Sequence, residues 1–138
     1  MQNSNTNKEA QSNPKSGEES EPKSLVQSGN EKRQARIKQL QEFIEARPQD
    51  LFLQYALALE FGKLNQVELA IESLLKLLEK APDYLGAYYQ LGKYYELISD
   101  KEKALSIYQQ GLDIAQQQGD RKTLMELKEA INLLEELD

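Results

Sequence analysis

The chain has 138 residues and a formal net charge of −6 at pH 7, and it contains neither histidine nor cysteine. Without these residues, disulfides, thiol nucleophiles, histidine bases and the usual zinc sites are excluded, so we expect no enzyme, no cofactor and no metal. An acidic chain repels phosphate backbones, which argues against nucleic-acid binding, and no apolar run reaches the length of a membrane span.

The first 30 residues consist mainly of Ser, Asn, Gln, Glu and Lys, with few apolar side chains. Such a segment cannot bury enough surface to offset the entropy of ordering, so we expect residues 1–30 to form a disordered tail. It also lacks the apolar run of a signal peptide, which makes the cytoplasm the expected compartment. The folded domain is expected over residues 31–138.

The segment 31–47 is predicted to be a single leading helix. Ile37, Leu40 and Phe43 recur at helical spacing and match Ile71, Leu74 and Leu77, 34 residues further on. Residues 31–47 therefore represent the second helix of a repeat unit whose first helix is missing, and they are placed to cap the array.

Two complete units follow, over residues 48–82 and 83–118. Identical residues recur 34 positions apart at Leu51 and Leu85, Tyr55 and Tyr89, Leu57 and Leu91, Ala70 and Ala104, Leu78 and Leu112, and Ala81 and Ala115. Each unit is expected to fold as two helices separated by a turn. Asn65 with Glu68, and Ser99 with Glu102, predict capping boxes that open the second helices.

The segment 119–138 is predicted to be a closing helix. Gly119 and Asp120 indicate a helix stop followed by a new N-cap. One apolar stripe then runs along the segment through Leu124, Leu127, Ile131 and Leu134. The chain is thus expected to contain about six helices and no strands.

The repeat resembles the tetratricopeptide repeat family, whose unit has a Leu-small pair and an aromatic residue in its first helix and closes on proline. The first unit matches at Leu57-Ala58, Phe61, Ala70, Leu74 and Pro82, and the second at Tyr88, Leu91-Gly92, Tyr95, Ala104, Tyr108 and Gly111. Departures from the pattern occur at Arg36, Gln54, Leu77 and Gln116. The resemblance implies an all-α fold in which antiparallel helix-turn-helix units stack as a short right-handed superhelix.

The resemblance also implies a concave groove, lined by the first helix of each unit, that binds a peptide or a partner helix. The implied groove residues are Phe52, Tyr55, Leu59, Tyr89, Gln90, Lys93 and Glu96. Family members that bind a terminal carboxylate carry Lys and Asn where this chain has Tyr55 and Leu59, so that kind of clamp is not expected. The alternative for Phe52 and Leu59 is packing against the first helix or the closing helix.

The sequence therefore predicts a non-enzymatic adaptor or scaffold module that binds a protein or peptide partner, and neither nucleic acid nor membrane. The alternative is a structural module that self-associates, for example as a homodimer, through its terminal helices. Phe43 and Ile44 are the candidate residues for such pairing.

Overall fold

The computed structural model describes residues 20–137, with side chains from Ser28 onwards. Its helices are α1 (Ser20–Ala46), α2 (Leu51–Lys63), α3 (Val67–Lys80), α4 (Leu85–Leu97), α5 (Lys101–Gln118) and α6 (Arg121–Glu136). No strand occurs in this part of the chain, as predicted. None of the helices within the described range is long and apolar enough to cross a bilayer.

The chain divides into two compact units, residues 1–35 and 36–138. Within the first unit, residues 20–35 form the N-terminal part of α1. Helix α1 thus begins at Ser20, before the start near Glu31 that the sequence predicts. Pro22 lies in the first turn of α1, where backbone N–H groups have no acceptor within the helix, so a proline loses no hydrogen bond there. The polar residues that follow include good helix formers. The predicted disorder of residues 1–19 lies outside the described residues.

The second unit contains the two predicted repeats. Helices α2 and α4 begin at residues 51 and 85, and α3 and α5 begin at residues 67 and 101, so both pairs keep the offset of 34. Each first helix packs against its own second helix, and α3 and α5 also pack against α4 and α6 respectively. The fold is therefore a stack of antiparallel helix pairs.

The turns between paired helices differ from the predicted capping boxes. Asn65 and Ser99 have left-handed backbones, both with φ of 62°, and Gln66 and Asp100 are the N-caps. The N–H of Asn65 donates to the carbonyl of Gly62, and the N–H of Gln66 donates to the carbonyl of Phe61. The same pattern recurs at the end of α4. Both residues thus end the first helix instead of starting the second.

The helices within a repeat cross closely because small residues lie at the crossing points. Ala58, Ala70 and Ala104 are fully buried, each with an exposed fraction of 0%. At Gly92 in α4, an added Cβ would lie only 2.1 Å from Cε1 of Tyr108 in α5. The backbone of α4 therefore rests directly on the Tyr108 ring, and any larger residue at this position would force the two helices to shift.

The closing helix begins as predicted. Gly119 has a φ of 70°, and the Asp120 carboxylate accepts hydrogen bonds from the backbone N–H and the hydroxyl of Thr123, both at 3.0 Å. Helix α6 starts at residue 121 and α4 at residue 85, an offset of 36. At that offset, Leu91 and Tyr95 correspond to Leu127 and Ile131, all of them buried. Helix α6 thus packs as the first helix of a third repeat would.

Both ends of the repeat array carry a long cation where the interior has a small residue. Arg36 in α1 corresponds to Ala70, and Lys128 in α6 corresponds to Gly92 at the offset of 36. Arg36 donates to Oε2 of Glu60 at 3.3 Å, and Glu60 is only 7% exposed. A long side chain at such a position disfavours the close helix crossing that a small residue allows.

A cleft of about 140 Å³ opens between α1, α2 and α3, lined by Ile44, Gln54, Leu57, Ser73 and Lys76. In the second repeat, the position of Ser73 is taken by Ile107, which packs against the core.

We expect Ser73→Ile to fill part of this cleft and to raise the free energy of unfolding by about 0.5–2 kcal/mol. Urea denaturation measures the gain. The matched control is Ser106→Ile, because Ser106 is exposed on α5 and isoleucine there buries little surface. A stability of Ser73→Ile below that of Ser106→Ile would show that the cleft is not available for filling.

Candidate functional site

The residues that the sequence predicts for the groove lie on the first helices of the repeats, α2 and α4, and we call this set of residues the groove face. It comprises the predicted residues Phe52, Tyr55, Leu59, Tyr89, Gln90, Lys93 and Glu96. Matching residues in α2 and α4 are 34 positions apart, and the two helices are equivalent, so their side chains project in the same sense.

On α2, Tyr55 is the residue that reaches across to α4. Its hydroxyl lies 3.6 Å from the point where a Cβ on Gly86 would be, and its ring centroid is 5.4 Å from that of Tyr84. Burial and the neighbouring Tyr84 raise the pKa of Tyr55, whereas a hydrogen bond with Gln90 lowers it. Tyr55 is thus partly buried against α4, and a Cβ at Gly86 would be in ordinary van der Waals contact with its ring.

On α4, Tyr89 lies beside the hydrogen-bonded pair formed by Tyr108 and Glu96. Its ring centroid is 6.2 Å from that of Tyr108, which is fully buried and donates its hydroxyl hydrogen bond to Oε2 of Glu96. Burial and this bond raise the pKa of Tyr108, so the phenol stays protonated. The ammonium of Lys93 lies 5.3 Å from the Tyr89 ring centroid. Glu96 therefore has a structural role as well as a place on the groove face.

The closing helix adds a wall that the sequence did not reveal. Tyr89 and Lys93 line a cleft of about 230 Å³ together with Glu126, Glu129, Ala130 and Leu133 of α6. The register of α6 was hidden because α5 extends to Gln118, which changes the offset from 34 to 36. At the longer offset, Leu127 aligns with Leu91, and this alignment identifies α6 as the counterpart of the first helices α2 and α4.

Exposure varies strongly across the groove face. Phe52 is 63% exposed, so its ring is not buried against the first helix or the closing helix. Leu59 is partly buried and packs against the core. On α6, Leu133 is 55% exposed beside the cleft. The surface therefore offers partly buried tyrosines between two exposed apolar side chains.

This arrangement leaves apolar and aromatic side chains accessible on the surface of the repeats. Within residues 20–137, no cluster of carboxylates is arranged to hold a metal ion. Apolar and aromatic side chains that remain accessible in a groove are the groups that contribute most to protein recognition.

Comparison with known proteins gives a consistent result. The family model described as tetratricopeptide repeat matches residues 30–136. A tetratricopeptide repeat domain protein from Salinibacter ruber, solved by NMR, is 40% identical, with 66% of this chain and 92% of that chain covered and a TM-score of 0.63. No curated protein matches the chain.

More distant structures share the fold. The TPR2B domain of yeast Sti1, solved as a complex with pHsp70, is 17% identical, with 85% of this chain and 91% of that chain covered and a TM-score of 0.71. The type III secretion translocator chaperone SycD from Yersinia enterocolitica is 12% identical, with 80% and 77% covered and a TM-score of 0.69. With the family model matching most of its length and both repeats in register, this chain belongs to the tetratricopeptide repeat family.

Proposed function

We propose that this protein is a non-enzymatic interaction module that binds a peptide or partner helix on its groove face. The observation that carries the proposal is the cleft between α4 and α6, in which Tyr89 and Leu133 remain accessible. Phe52 extends the same surface on α2 and is 63% exposed. An amphipathic partner segment could bury these side chains together, and the hydrophobic effect would stabilise the complex.

The known proteins of this fold agree with an interaction role. One neighbour, the TPR2B domain of yeast Sti1, was solved bound to pHsp70, and another, SycD, is named as a chaperone. Their low identity to this chain means that they support the class of function and do not identify the partner. The groove residues Tyr55 and Leu59 indicate a partner that presents apolar side chains rather than a terminal carboxylate.

The expected result of replacing both Tyr55 and Tyr89 with Ala is a loss of about tenfold or more in partner binding, because buried tyrosines commonly dominate interface energy. The measurement is capture of partners from a cell extract by the full chain, followed by affinity measurement on the captured protein. Circular dichroism must show that the double variant keeps its helical signal.

The matched control is Leu69→Ala with Leu75→Ala on α3, where both leucines are more than 40% exposed and lie outside the groove face. This control should capture partners as the wild type does. Equal capture by the wild type and the tyrosine double variant would show that the groove face is not the binding site.

Self-association through the terminal helices is the second candidate. Phe43 is 39% exposed, with the Arg47 guanidinium 5.6 Å from its ring centroid, whereas Ile44 packs against the core. The long cations Arg36 and Lys128 disfavour stacking of another helix on either end. Sedimentation over a concentration series tests this candidate: a monomer at all concentrations rules out self-association, and a dimer that Phe43→Ala dissociates supports it.

A further inference from the structure

The cleft between α1, α2 and α3 lies outside the groove face and has its own chemistry. Its apolar walls are Ile44 and Leu57, and Ser73 and Lys76 lie on α3. The Lys76 ammonium is paired with Glu72 at 3.8 Å, and both side chains are largely exposed. The aliphatic part of Lys76 therefore forms one side of the cleft while its charge stays in water.

The second repeat shows which side chain this cleft lacks. At the offset of 34, Gln54 corresponds to Tyr88 and Ser73 corresponds to Ile107. The Tyr88 ring is 5% exposed, and its hydroxyl donates a hydrogen bond to the carbonyl oxygen of Pro82. Both positions hold smaller side chains in the first repeat, which accounts for a cleft where the second repeat is filled.

The polar group in the cleft is an acceptor that lacks a donor. Oε1 of Gln54 is buried and has no hydrogen-bond partner among the described residues. A buried acceptor without a partner costs free energy, which a ligand carrying a hydroxyl or N–H can recover. The cleft of about 140 Å³ therefore combines the volume vacated by an aromatic ring with an acceptor for a ring hydroxyl.

We propose that this cleft binds the phenol ring of a tyrosine side chain from a partner protein, with Oε1 of Gln54 accepting the hydrogen bond of its hydroxyl. Residues 1–30 of this chain contain no aromatic residue, so the N-terminal segment cannot supply the ring. The site is separate from the groove face, and it gives the protein a second point of recognition on α1, α2 and α3.

The test uses the full chain and two small probes, p-cresol, which mimics the tyrosine side chain, and toluene, which lacks the hydroxyl. NMR signals of the Ile44 and Leu57 methyl groups report on binding. In the wild type, p-cresol should shift both methyl groups and bind roughly three- to tenfold more tightly than toluene, the range expected for one net hydrogen bond.

Two variants separate the parts of the proposal. Gln54→Leu keeps a side chain of similar size without the acceptor, so the preference for p-cresol over toluene should disappear. Ser73→Ile should abolish binding of both probes while the protein remains folded and at least as stable as the wild type. Tyr55→Ala with Tyr89→Ala should bind p-cresol as the wild type does, because the groove face takes no part.

Three outcomes would overturn the proposal. The first is the absence of methyl shifts at Ile44 and Leu57, which would mean that the cleft holds water only. The second is a toluene affinity equal to that of p-cresol in the wild type. The third is p-cresol binding that survives Ser73→Ile at full strength.

Discussion

Replacing Leu74 with Asp is expected to lower the free energy of unfolding by about 4 kcal/mol or more, enough to leave much of the protein unfolded. Leu74 lies in α3 and is fully buried, with an exposed fraction of 0%. A carboxylate at this position would have no cationic partner in the core that surrounds it, and it would also lose the packing of the leucine. Thermal and urea unfolding, followed by circular dichroism, measure the effect.

The next residue provides the control for this experiment. Leu75 lies on the same helix and is 42% exposed, so Leu75→Asp keeps its charge in water. We expect this control to change stability by less than about 1 kcal/mol. If Leu74→Asp and Leu75→Asp unfold alike, the assignment of the buried face of α3, and with it the register of the repeats, is incorrect.

Replacing Gly92 with Ala is the second substitution with a large expected effect. The new methyl group would lie 2.1 Å from Cε1 and 2.6 Å from Cδ1 of the Tyr108 ring, so α4 and α5 must move apart. Tyr108 cannot turn away, because it is fully buried and hydrogen-bonded to Glu96. We expect a loss of about 1–3 kcal/mol in urea denaturation, the usual cost of overpacking a core.

The same substitution at Gly86 separates this clash from the general preference of helices for alanine. Gly86 also lies in α4, but an added Cβ there meets nothing closer than the Tyr55 hydroxyl at 3.6 Å. Gly86→Ala should therefore gain about 0.5–1 kcal/mol from helix propensity. A stabilised Gly92→Ala variant would be inconsistent with the close crossing of α4 and α5.

The repeat could be predicted from the sequence because its period is set by packing that each unit shares. Leu57 and Leu91 occupy the same buried position, and so do Ala70 and Ala104, so identical residues mark the same contacts. The offset of 34 between the starts of α2 and α4, and of α3 and α5, follows the same pattern. The family and the all-α fold were therefore available before the structure.

The turns could not be predicted in the same way. A polar residue followed three positions later by Glu fits a capping box, and Asn65 and Ser99 both satisfy that pattern. Whether such a residue ends one helix or begins the next depends on its φ, and both adopt the left-handed conformation. The sequence does not reveal this choice, because Asn and Ser are both preferred N-cap residues and a left-handed Ser is uncommon.

The site was only partly predictable. The repeat pattern of the first helices predicted Tyr55 and Tyr89 as groove residues. Glu126 and Leu133 of α6 could not be predicted as part of the cleft, because the register of α6 differs from the period of 34. The sequence shows that Gln54 departs from the repeat pattern. The cleft that results could be recognised only once the positions of the neighbouring side chains were known. A smaller residue leaves a cleft only if nothing else fills the space, and Ser73 fails to do so.

The central claim, that partners bind on the groove face, is tested most directly by site-specific photo-crosslinking. A photoactivatable phenylalanine analogue replaces Phe52, which is 63% exposed, and in a second protein it replaces Leu69, which is 43% exposed on α3. The account predicts that the analogue at position 52 crosslinks the captured partner and that the analogue at position 69 does not. Crosslinking at position 69 with none at position 52 would contradict it.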